Sequence, residues 1–72
     1  MKIAYYADTD SMYIDLSAKD SVESKEVSPG VVLDYDANGN LTGIDIDNAS
    51  KKLDFGELIL NNIPASKKVI AA

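Results

Sequence analysis
The residues best placed to do chemistry lie in the stretch Asp34-Tyr-Asp-Ala-Asn-Gly-Asn-Leu-Thr-Gly-Ile-Asp45. Read as ligands, it matches most of an EF-hand calcium loop. Oxygen-bearing side chains fall at loop positions 1, 3, 5, 9 and 12, glycine at position 6 and an apolar residue at position 8. Asp34, Asp36, Asn38 and Asp45 would then be the candidate calcium ligands. Read as backbone, the same stretch is a β-hairpin that turns at Asp36-Ala-Asn-Gly-Asn40, where Asn38 and Gly39 tolerate positive φ. The flanks separate the two. An EF-hand needs a helix on each side, whereas both flanks here alternate with period two. Asp45 is also shorter than the glutamate that normally binds the ion through both oxygens. The hairpin is favoured, and calcium stays as an alternative.

Other reactive groups give less. Asp8 and Asp10 form a carboxylate pair, but in a Thr- and Ser-containing stretch they read as turn formers. The chain has no histidine and no cysteine, which excludes a Ser-His-Asp triad, disulfides and cysteine-based zinc sites. Lys51 and Lys52 lie among polar residues and read as solvated. No catalytic residue, metal or cofactor is assigned, and the protein is read as not an enzyme. The net charge is −5, with −7 over residues 1–48 and +2 over 49–72. There is no arginine, the usual residue for bidentate phosphate or guanine contacts, so nucleic-acid binding is not expected. No apolar run reaches the roughly 18 residues of a membrane span, and the N-terminus lacks the apolar core of a signal peptide. The expected location is the cytoplasm, with no membrane association.

The elements that must hold these residues follow from the pattern. Strands are predicted near 2–7, 11–16, 31–36 and 41–47, with a weaker, charged edge strand near 22–27. Pro29-Gly30 and Asp8–Ser11 supply turns. The alternation puts Met12, Ile14, Leu16, Val31, Leu33, Ile44 and Ile46 on one face and carboxylates on the other. Thr42 falls in the apolar phase and makes that face less hydrophobic. After Asn48 the period changes. Asn48 reads as an N-cap, Asp54-Phe-Gly-Glu57 has capping-box spacing, and Leu53, Phe55, Leu58, Ile59, Leu60 and Ile63 recur at helical intervals until Pro64. Residues 65–72 suit a second short helix, an added strand or a tail.

The order Met12-Tyr13-Ile14-Asp15-Leu16-Ser17, then Glu26-Val-Ser-Pro-Gly-Val-Val-Leu-Asp-Tyr-Asp36, is carried on by Gly39, Leu41, Gly43-Ile44, Ile46 and Ala49-Ser50. In these residues the first fifty positions resemble the small bacterial "domain of unknown function 2283" family. The resemblance implies an architecture, a small β-meander with a helical piece after it, and no activity.

The expected fold is α+β in a single domain, residues 1–72. An antiparallel meander of four to five strands occupies 2–47 and a helical segment 48–72. Ile3, Leu58 and Ile59 are expected among the most buried residues, together with the inward-facing residues named above. Phe55, Leu58, Leu60 and Ile63 give the helix more apolar surface than one small sheet can cover. Tyr6 and Tyr13 lie on the opposite face, where tyrosine suits either cross-strand pairing or an interface. The expected function is therefore that of a non-catalytic interaction or structural module. It would act as a homodimer and bind an unidentified protein partner, with Phe55, Leu58, Leu60, Ile63, Tyr6 and Tyr13 as interface residues. The alternative is an acidic antagonist, antitoxin-like or inhibitory, that docks its carboxylate face on a basic partner.

Overall fold
The computed structural model describes residues 1–64. Five strands form in the order expected: β1 (Lys2–Tyr6), β2 (Ser11–Asp15), β3 (Glu23–Ser28), β4 (Val31–Tyr35) and β5 (Leu41–Ile46). One helical turn, α1 (Ala49–Lys52), follows. The strands make one antiparallel sheet in the order β1-β2-β5-β4-β3. The fold is α+β: a β3-β4-β5 meander receives the β1-β2 hairpin alongside its last strand. Residues 16–22 carry the chain from β2 to the far edge, bonded on the way through Leu16 N to Thr42 O and Val22 N to Tyr35 O.

Registration sorts the side chains into two faces, because directly opposed residues of antiparallel strands share a face. Across the sheet from β1 to β3, one face carries the row Ile3-Ile14-Ile44-Leu33-Lys25 and, beside it, Tyr5-Met12-Ile46-Val31-Ser28. The other carries Lys2-Asp15-Gly43-Asp34-Ser24 and Ala4-Tyr13-Asp45-Val32-Glu26. The pairing shifts between Asp34 and Tyr35, which oppose Gly43 and Leu41, so Thr42 is an extra residue in β5. This bulge removes Thr42 from the apolar phase. It is 3% exposed and lines a depression with Tyr13, Asp15 and Ser17.

The predicted helix over 49–63 is confined to Ala49–Lys52. Leu53 is already extended, and Asp54 accepts a hydrogen bond from the Gly56 N–H (2.9 Å) in a local turn, so it opens no helix. Gly56, and Asn62 at φ 57°, favour irregular backbone beyond it. Asn48 is not a side-chain cap either; it takes the left-handed conformation and makes no capping bond. The second short helix, added strand or tail expected of residues 65–72 lies outside the described residues.

A one-layer sheet under so short a helix buries little. Among the described residues the buried apolar side chains are Ile46 and Ala49, and no large side chain is fully enclosed. Most of the expected core residues, Met12, Ile14, Leu16, Val31, Leu33 and Ile44, are half-buried. Ile3 is 47% exposed, Leu58 65% and Ile59 70%. These three were expected inside. They lie outside because, among the described residues, the longer helix that would form a second layer is missing.

Candidate functional site
Part of the apolar face is met by the segment that follows α1. The strap that follows α1, Leu53 to Leu58, lies along β1 and β2 and encloses with Ile3, Tyr5 and Met12 an apolar groove of about 400 Å³. Phe55 meets Tyr5 edge to face, ring centroids 4.9 Å apart and planes at 72°; such a pair stabilises by about 0.5–1.5 kcal/mol beyond its buried area. Asp54 and Glu57 stand on the groove's rim. Phe55, Leu58, Ile59, Leu60 and Ile63 all remain exposed. Of the predicted interface residues, Phe55 and Leu58 are thus brought together with the sheet, on an irregular strap where a helix was expected.

Asp10 anchors the strap's origin. It sits at φ 52° in the turn between β1 and β2. Its carbonyl accepts from Ala49 N–H (2.8 Å), Oδ1 from Ser50 N–H (3.0 Å) and Oδ2 from Ser50 Oγ (2.7 Å). A residue forty positions earlier thereby caps the helix that Asn48 does not. Tyr5 donates its hydroxyl to the same carboxylate (2.8 Å). These bonds, from Ser50 first and Tyr5 next, lower the Asp10 pKa from its ordinary 3.8, and Tyr5 is raised in turn by the bond to Asp10. Asp10 thus serves as a structural clasp between the β1-β2 turn and α1. The sign for stability follows. A lowered carboxyl pKa contributes fully above the unfolded value and is lost as pH falls through the folded one. The difference in melting temperature between the wild type and Asp10→Asn is therefore expected to be widest above about pH 5 and to close on acidification toward about pH 2. Thermal melts followed by circular dichroism across that range check it, and a gap independent of pH would contradict it.

Lys52 secures the far end of the turn by donating to Pro29 O (3.0 Å) and Asp47 O (2.7 Å).

The opposite face holds the other predicted residues. Tyr13 leans across Gly43 and donates to Asp34 Oδ2 (2.8 Å), and Ser24 donates to Oδ1 (2.6 Å). One hydrogen-bonded row thus spans β2, β5, β4 and β3. The bond to Asp34 pushes the Tyr13 pKa up to about 12. Both Asp34 oxygens are engaged, one from β2 and one from β3. Asp36, 9% exposed, accepts from the Asn38 and Asn40 N–H groups (both 2.9 Å) and so shapes the hairpin. Gly39 takes φ 81°. Asp45 stands opposite Tyr13, and among the described residues no group of three or more acidic, His or Cys side chains is placed to hold a metal. Tyr6 is exposed at the β1 edge, opposite Ser11, and is not paired with Tyr13.

Sequence reasoning did not find the Asp10 clasp, the Tyr13-Asp34-Ser24 row or the burial of Asp36. The row left one trace. A glycine inside a strand marks a close approach, and Gly43 lies where a Cβ would run into the Tyr13 hydroxyl and ring. The clasp left none, since its partners are far apart in the chain.

Among the described residues no helix is long and apolar enough to cross a membrane. No curated protein and no solved structure matches the chain. The family described as "Protein of unknown function (DUF2283)" does, over residues 2–50, a span that starts at β1 and ends on Ser50, the partner of Asp10 in the clasp. The chain belongs to the DUF2283 family.

Proposed function
We propose that this protein is a non-catalytic interaction module that works by self-association through the apolar face of its sheet. One observation carries the reading: a sheet with two rows of apolar residues running from β1 to β4 on one face encloses no large side chain among the described residues. Apolar surface left in water at about 25 cal/mol per Å² is a standing drive toward association. Five strands about 4.8 Å apart and about five residues long give a face of roughly 400 Å² in plan. Specific interfaces bury about 800 Å² per partner, so the sheet alone is too small. Leu58, which lines the groove, and the exposed Ile59, Leu60 and Ile63 that follow it add further apolar surface. An acidic antagonist draws less support, because Asp34 on the polar face already serves Tyr13 and Ser24.

Light scattering coupled to size exclusion tests the reading. At about 100 μM, well above the dissociation constants of specific dimers, the expected mass is twice the 7.7 kDa of the chain. Leu58→Asp combined with Ile59→Asp, both at exposed positions, should return a monomer that stays folded. A monomeric wild type at that concentration overturns it.

A further inference from the structure
We infer that the strap is a flap over β1 and β2 with Asp10 as its latch: the strap and α1 come away together while the five-stranded sheet stays folded. The inference concerns contacts within one chain. It goes beyond the self-association reading and does not need it.

The flap is held differently from the sheet. Each strand pairs residue by residue with a neighbour, and β2, β4 and β5 have one on either side. The strap has no such ladder. Beyond Leu53 its hydrogen bond among the described residues is internal, from Gly56 N–H to Asp54 Oδ1. Phe55 and Leu58 line the groove yet stay exposed, so docking removes little of their apolar surface from water and stabilises little. α1 is a single turn, too short to persist in water without tertiary support. Segments with few buried apolar contacts open at lower free energy than the whole fold.

The clasp supplies the support, and its geometry gives one carboxylate hold of both ends of the flap. Through Ser50, Asp10 fixes the origin: its two carboxylate oxygens accept from the Ser50 N–H and Oγ, and its carbonyl from the Ala49 N–H. Through Tyr5 it fixes the landing site, since the Tyr5 hydroxyl donates to the same carboxylate while the ring meets Phe55. Asp10 and Tyr5 both belong to the β1-β2 hairpin, so latch and landing site stay with the sheet when the flap leaves. Asn48, at φ 51° just before α1, is the joint. Lys52 adds a tie to the Pro29 and Asp47 carbonyls through an exposed side chain on a flexible stem. Opening bares Ile3, Tyr5 and Met12 in one step, so the latch sets how much apolar surface the hairpin shows.

Amide hydrogen exchange of the full chain, followed by NMR at several low urea concentrations, tests this. In the wild type the Ala49, Ser50 and Leu53 N–H groups should exchange at least about tenfold faster than those of β5, with a weaker urea dependence because opening exposes less surface than unfolding. Asp10→Gly suits the φ of 52° and removes the carboxylate. It should speed exchange at these three positions by about tenfold and erase the through-space cross-peaks between the Tyr5 and Phe55 rings, while the cross-strand peaks between β2 and β5 persist. Ser50→Ala touches neither ring and removes one bond. It should still weaken the ring cross-peaks and speed exchange at Ala49 and Leu53 by about threefold, and it decides alone if Asp10→Gly does not fold. Flap amides that follow β5 in both rate and urea dependence overturn the separate flap. Ring cross-peaks and exchange at wild-type values in the variants overturn Asp10 as its latch.

Discussion

Gly43→Ala will destabilise the domain by about 3 kcal/mol, lowering its melting temperature by roughly 12–24 °C. Two effects add. A Cβ at this position occupies space held by the Tyr13 hydroxyl and ring, and overpacking a close contact costs about 1–3 kcal/mol. Moving Tyr13 aside also breaks its bond to the Asp34 carboxylate, a charge-assisted bond worth about 1.5–3 kcal/mol. The lower conformational entropy of alanine in the unfolded chain returns no more than about 1 kcal/mol. Against a total stability of about 4–11 kcal/mol for a chain this size, the loss is large. A double-mutant cycle checks the cause. Tyr13→Phe should cost less in the Gly43→Ala background than in wild type, because its hydrogen bond is already gone. Strictly additive effects would mean that Gly43 serves something other than Tyr13.

Asp36→Ala is expected to cost about 2 kcal/mol, and by the same amount with millimolar calcium as with chelator. The Asp36 carboxylate satisfies two backbone N–H groups of the hairpin, and bonds to a charged acceptor are worth about 1.5–3 kcal/mol each. The donors belong to Asn38 and Asn40, which are exposed, so water recovers part of that loss. Asp36→Asn keeps an acceptor oxygen in place and should cost about 1 kcal/mol, roughly the value of a neutral hydrogen bond. Thermal melts of the three proteins in the two conditions decide between hairpin and ion site. A micromolar calcium site would stabilise wild type by about 4 kcal/mol in 1 mM calcium and leave Asp36→Ala unmoved. The engagement of Asp34 by Tyr13 and Ser24 predicts instead a wild-type shift under about 3 °C.

What could be read from the residues divides along a physical line. Strands β1 to β5 were legible within one or two residues, because alternation is a local signal and one face of each strand prefers to leave water. The hairpin at 36–40 was legible for the same reason, since Asn38 and Gly39 permit the turn whatever surrounds them. The order of the strands was not. Nothing in β5 announces that it pairs with β2, and that pairing brings Asp10 to Ser50 and Tyr13 to Asp34. The helix was overestimated because Asp54 and Glu57 have the spacing of a cap, yet a cap signal only permits a helix. Asp54 bonds Gly56 locally, and α1 is capped from a distant turn. Of the apolar residues at 53–63, Leu58 and Ile59 were expected inside and instead lie exposed on an irregular strap.

The order β1-β2-β5-β4-β3 places the last of the described strands at the centre of the sheet. A polypeptide emerging from its N-terminus can close the β1-β2 and β3-β4 hairpins early, since loops this short form in microseconds. Each two-stranded ribbon is marginal in water on its own. Both wait for residues 41–46, which supply the shared neighbour of β2 and β4 in a single step. Until then the nascent chain exposes two unpaired edges; afterwards β5 has a hydrogen-bonded neighbour on either side. Assembly therefore behaves as a keystone event, so a ribosome that stalls before Leu41 releases two separate ribbons and no sheet.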